Sequence, residues 1–154
     1  KYRERLYFHI RKILILHADT DDALQNTFIK VWENLDKFES KSSLFTWLYR
    51  IATNESLAIL KKRKREYNFE DADIESLFSN STEADSWFDG DEGMRTFLSA
   101  IKQLPEKQQL VYNLKYFEEL KYEEISEILE TSVGSLKASY HLARKKIENL
   151  LKND

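Results

Sequence analysis

Lys137, His141, Arg144, Lys145 and Lys146 recur at helical spacing beside an apolar stripe of Val133, Leu136, Tyr140, Ala143, Ile147 and Leu150. Cations on the front of a helix and aliphatic groups on its back suit one kind of chemistry, the binding of a phosphate backbone. Just upstream, Tyr122, Ile125, Ile128 and Leu129 put apolar side chains on one face of a shorter helix. Between the two sits Glu130-Thr131-Ser132, about the length of the connection in a helix-turn-helix, with Ser132 placed to N-cap the second helix. A helix of this kind lies in a DNA major groove.

Other chemistries lack their residues. The 154-residue chain has no cysteine, so disulfides, thiol nucleophiles and cysteine-based zinc modules are excluded. His9, His17 and His141 are far apart in sequence, and no metal or other cofactor is expected. No Gly-rich phosphate loop, Ser-His-Asp set or metal-ligand spacing appears, so an enzyme has nothing to stand on. No apolar run approaches the roughly 20 residues of a membrane span and no signal-peptide pattern opens the chain, so a cytoplasmic protein without membrane insertion is expected. The first residue is Lys rather than Met, which leaves room for residues before it.

Helices must position these groups, and helical periodicity runs almost everywhere. With three Gly and one Pro, the chain lacks the punctuation of sheets and hairpins, so the expected fold is all-α. The spacing predicts a first helix from about Tyr2 to Leu16, and Asp19 or Thr20 as the N-cap of a second that runs to about Leu35. That second helix is expected to bury Leu24, Phe28, Val31 and Leu35, with Trp32 flanking. A third starts at Leu44 and ends in the basic run 61–65. Later helices are read around Phe97–Leu104, stopped by Pro105, and from Leu110 towards Phe117.

Net charge of −3 conceals three parts. Residues 1–65 carry 14 Lys and Arg against 8 Asp and Glu; residues 66–93 carry 10 acids and no Lys or Arg; residues 94–154 carry 10 against 9. The expected organisation is two small helical domains, 1–65 and 94–154, joined by an acidic linker at 66–93. Six large apolar residues scattered through that linker, Phe69 and Trp87 among them, point to partial helix or docking on a partner.

Two blocks carry a family resemblance. DDALQNTFIKVWENLDKF at 21–38 with SSLFTWLYRIATN at 42–54 resembles region two of bacterial sigma factors, and LPEKQQLVYNLKYFEELKYEEISEILETSVGSLKASYHLARKKIENL at 104–150 resembles region four. The absence of a sizeable domain between them makes the chain similar to the small extracytoplasmic-function (ECF) subfamily. Three features depart from the usual pattern: Asn26 stands where an acid is common, Glu130 replaces the usual Gly at the bend, and Ser139 and Leu142 stand where many relatives have Arg.

The resemblance implies a transcription initiation factor that binds core RNA polymerase, recognises promoter DNA and helps open it, without chemistry of its own. It implies that Asp19, Asp22, Gln25 and Asn26 face the polymerase. Lys30, Lys37, Ser40, Lys41, Ser42, Arg50 and Asn54 would serve the proximal promoter element, where extracting a base costs a few kcal/mol of stacking and pairing. Phe45, Trp47 and Tyr49 lie nearby in sequence, with core packing the stronger reading for Trp47. Ser135, Lys137, Ala138, Ser139, His141, Arg144 and Lys145 would read the distal element. Lys137 or Arg144 suits a guanine edge as well as a phosphate, and spacing does not separate the two. The acidic linker would follow a cation-lined channel of the polymerase, and an anti-sigma factor is an expected partner. A conventional regulator that binds an operator as a dimer is the competing class; the block at 21–54 argues against it.

Overall fold

The computed structural model describes residues 2–14, 16–39, 43–67 and 92–153, which fold into seven α-helices with no strand among them. Helix α1, Arg3–Ile13, turns Leu6, Ile10 and Ile13 inward. It ends earlier than the expected Leu16, since Leu14 is already extended.

Helix α2, His17–Asn34, begins two residues before the expected cap. Asp19 and Thr20 therefore lie in its first turn rather than capping it, and the Thr20 hydroxyl donates back to the Leu16 carbonyl at 3.2 Å. Leu24 is buried, and Phe28 and Val31 pack partly against the core. Leu35 does not: it is 49% exposed. The helix leaves α geometry at Asn34 (φ −116°, ψ 12°) and tightens into a 3-10 turn at Leu35–Lys37, which swings Leu35 off the buried stripe.

Helix α3, Leu44–Tyr67, is the longest element, and the Ser43 hydroxyl accepts the Thr46 amide at its start, 3.1 Å away. Its stripe of Leu48, Tyr49 and Ala52 is buried, and the basic run 61–65 occupies its last turns, where cations offset the helix dipole.

In the second half, α4 (Glu92–Lys102) is followed by Pro105 at the head of α5 (Glu106–Tyr112), which widens into a π turn at Asn113–Phe117. Helices α6 (Tyr122–Leu129) and α7 (Val133–Lys152) then form the expected pair, with Ser132 Oγ accepting the Ser135 amide at 3.2 Å. Glu130 adopts the left-handed conformation that Gly enters without steric cost (φ 53°), and Glu119 adopts it too, at φ 55°. The latter bend has no signature in the sequence.

The two halves pack on each other. One apolar cluster joins Leu6, Ile10, Leu14, Leu48 and Ala52 of the first to Val111, Leu114, Leu120, Ile125 and Leu136 of the second. A smaller cluster, Ile101, Leu104, Tyr112, Ala143 and Ile147, belongs to the second half alone. The expected partial helix or docking of the acidic linker falls on 68–91, outside the described residues.

Candidate polymerase and nucleic-acid interfaces

On α2, Asp22, Gln25 and Asn26 are exposed on the side away from the core, and the next turns of that side carry Ile29 and Trp32, 47% and 79% exposed. Gln25, Phe28, Ile29 and Trp32, with Arg3 of α1, line an open groove of about 700 Å³. A mixed amide, carboxylate and aromatic surface of this kind is what a protein partner can bury. Ile29 is missing from the residues singled out by sequence, and Trp32 was read only as flanking the buried face; their i+4 and i+7 positions after Gln25 were the available signal. Asp19 departs from its three companions. It is only 6% exposed and is clasped by Arg63, whose Nε and Nη2 reach its two oxygens at 2.9 and 2.8 Å. Its carboxylate ties α2 to α3 and is not presented outward.

The candidates for the proximal element divide. Lys30 is exposed and forms an ion pair with Glu55 of α3. Lys37 is exposed at the end of the 3-10 turn. Arg50 and Asn54 lie one turn apart on the exposed side of α3, and Arg50 pairs with Glu130 at the helix-turn-helix bend. Ser40, Lys41 and Ser42 lie outside the described residues.

Among the aromatics, Trp47 is half-buried against Phe38, ring centroids 4.9 Å apart. Tyr49 is wholly buried between His9, Phe45 and Glu118; burial first, then the Glu118 carboxylate, pushes its hydroxyl well above the usual tyrosine range. In this arrangement Tyr49 packs the core and offers no face to a base.

On α7 the cations form one front. Lys137, His141, Arg144 and Lys145 fall within the same exposed face, with Ala138 at its edge, and Ala143 and Ile147 lie buried on the opposite side. Ser135 and Ser139 are half-buried at the flanks, Ser135 holding Lys107 Nζ at 3.3 Å. Arg144 stands 6.0 Å over the Tyr140 ring and Lys137 5.8 Å over Tyr122, so aromatic faces steady both long side chains. Tyr112 stacks beneath Tyr140 and is pushed up to about 12, chiefly by burial and then by the neighbouring tyrosines.

No group of three or more His, Cys, Asp or Glu is placed to hold a metal among the described residues, and none of their helices is long and apolar enough to cross a membrane. What the surface displays is an open, partly apolar groove on α2 and a cationic helix front on α7.

Comparison with known proteins identifies the family. The Sigma-70 region 2 family matches residues 1–66, and Sigma-70, region 4 matches residues 94–147. The ECF RNA polymerase sigma factor SigW of Bacillus subtilis (strain 168) is 33% identical, covering 99% of this chain and 86% of that protein. The ECF RNA polymerase sigma-E factor of Haemophilus influenzae is 30% identical over 85% of this chain and 74% of its own length. Among solved structures, the sigma factor RpoE bound to the anti-sigma factor NepR from Bartonella quintana matches with a TM-score of 0.76 at 23% identity, covering 99% of this chain and 92% of that one. CnrH in complex with the cytosolic domain of CnrY gives 0.70 at 24%, covering 99% and 84%. At those identities the likeness is one of fold. The chain belongs to the ECF sigma factors of bacterial RNA polymerase.

Proposed function

We propose that this protein is a promoter-recognising transcription initiation factor: it binds core RNA polymerase, directs it to particular promoters through the helix-turn-helix, and helps melt the proximal element. The work is binding throughout, with no bond made or broken by the factor, and it is carried out in the cytoplasm. The observation that carries the reading is the pairing of two different surfaces on one chain. The α2 stripe is partly apolar and uncharged at its centre, which suits a protein; the α7 front is cationic, which suits DNA.

Asp22, Gln25 and Asn26 contact the polymerase, together with Ile29 and Trp32. Lys37, Arg50 and Asn54, with Lys30 released from Glu55 and with Ser40, Lys41 and Ser42, hold the proximal element. Lys137, Ala138, His141, Arg144 and Lys145 enter the distal major groove, flanked by Ser135 and Ser139. The acidic linker is drawn by charge towards a cation-lined channel. An anti-sigma factor is the expected antagonist, by likeness to the sigma factor RpoE, whose structure holds the anti-sigma factor NepR.

A binding assay with purified core polymerase, and free duplex DNA as the comparison, tests this. Tight binding to polymerase with little affinity for DNA alone is the expected outcome. Salt-sensitive binding to a specific duplex without polymerase binding would place the chain among operator-binding regulators instead.

A further inference from the structure

Leu142 is 55% exposed on the front of α7, a face that otherwise carries Lys137, His141, Arg144, Lys145 and Lys146. Ala138, also exposed, lies one turn before it, so the two form an apolar strip across a polar surface. The buried stripe of Leu136, Ala143 and Ile147 runs along the other side of the helix, and neither Ala138 nor Leu142 belongs to the two apolar clusters of the fold. Both lie in the first half of α7, the part that meets base edges when a helix of this kind enters a major groove.

Cations stand on either side of the strip. Lys107 of α5, with Nζ 3.3 Å from Ser135 Oγ, and Lys146 flank one edge. Lys137 and Arg144, over the Tyr122 and Tyr140 rings, flank the other. An apolar strip between two rows of cations matches the section of a DNA groove, with phosphates along both walls and base edges on the floor. The apolar centre of a protein interface is instead depleted of charge, so this face suits DNA better than a protein partner.

On the floor of the major groove, the C5-methyl of thymine is the one apolar group; guanine, adenine and cytosine present donors and acceptors. A Leu side chain has no hydrogen-bonding group, and over any of those edges it would displace water without replacing its bonds.

We propose that Leu142 and Ala138 select thymine in the distal promoter element by packing against its C5-methyl, so that this factor prefers T·A over C·G at the bases they cover. This selectivity rests on the sigma-factor reading of α7 and names the base which that reading leaves open. Four residues rise about 6 Å along a helix and successive bases about 3.4 Å along a strand, so the two contacts fall about two base steps apart.

The full chain bound to core polymerase can select promoters from duplexes randomised upstream of the start site. Each thymine of the selected distal element is then replaced by uracil, which lacks only the methyl group. One or two positions should lose affinity about fourfold, the effect of exposing one buried methyl. Leu142→Ala, with helical circular dichroism and polymerase affinity unchanged, should bind thymine and uracil alike at one of those positions. Leu142→Arg should move the selected base there from thymine to guanine, whose O6 and N7 accept from a guanidinium, a shift that a purely structural role would not give.

A selected element without thymine, uracil tolerated throughout, or a uracil penalty undiminished in Leu142→Ala overturns the proposal and leaves the sigma-factor reading intact. A Leu142→Ala chain that binds polymerase more weakly yet selects the same sequence would assign Leu142 to the polymerase and overturn it too. A parent chain that fails to join polymerase, or selects no distal element, overturns the sigma-factor reading and this selectivity with it.

Discussion

Asp19 and Arg63, 44 residues apart in the chain, meet in a two-point clasp that fastens the first turn of α2 to the last turns of α3. The planar guanidinium matches the two carboxylate oxygens, so the pair sets an angle as well as a distance. It holds the outward stripe of α2 in a defined orientation relative to α3. Asp19→Asn is expected to destabilise the fold by about 1–3 kcal/mol, the cost of leaving a charged donor partly unmatched. Urea unfolding would measure it. A variant as stable as the parent, with polymerase affinity sharply reduced, would instead make Asp19 a direct contact.

Among the described residues, Trp32 is the largest apolar group left to solvent, and it lines the α2 groove. Aromatic anchors of this kind tend to dominate protein interfaces. Trp32→Ala should weaken polymerase binding by about 2 kcal/mol, roughly thirtyfold, without loss of helix content. Asp22→Ala with Gln25→Ala should weaken it as well. Unchanged affinity in both variants would remove the α2 stripe from the interface.

Lys137 and Arg144 lie on the exposed front of α7, supported by the Tyr122 and Tyr140 rings. Replacing both by Ala should spare polymerase binding and abolish protection of the distal element in footprints of a cognate promoter. If they contact phosphates, the dependence of log affinity on log salt becomes shallower by about 1 for each residue. A preserved distal footprint would refute the assignment.

His9 is fully buried, with Nε2 at 2.8 Å from the Thr53 hydroxyl, and burial, aided by Lys12, lowers its pKa to about 3. Its unfolded value is about 6.5. Between the two, the unfolded chain takes up a proton that the folded chain refuses. The stability due to neutral His9 is therefore complete above about pH 6.5 and declines as pH falls towards 3, by up to about 1.4 kcal/mol per unit. Unfolding midpoints from pH 6.5 to 4.5 should fall more steeply for the parent than for His9→Gln, a comparison that cancels most of the carboxylate titration. Parallel slopes would contradict the assignment.

The helix-turn-helix was readable residue by residue. Tyr122, Ile125, Ile128 and Leu129 follow i, i+3 and i+4 spacing, Ser132 caps as its side chain predicts, and Glu130 takes the left-handed bend. Two expectations slipped at helix ends: a 3-10 turn carried Leu35 outward, and a start at His17 moved Asp19 from cap to first turn. Neither leaves a mark in hydrophobic periodicity, which assumes 3.6 residues per turn to the end.

Spacing along the chain was enough to establish the helices, most of their buried faces and the cationic front of α7, because periodicity and capping act between residues within a few positions of each other; the family came from the resemblance of the blocks at 21–54 and 104–150. Which polar side chains are free to meet a partner was settled by packing instead. Asp19 was claimed by Arg63, Arg50 by Glu130, and Glu118 by Tyr49 across 69 residues. Such pairings depend on how helices cross once their apolar stripes are buried together, a property of three dimensions that no local spacing encodes.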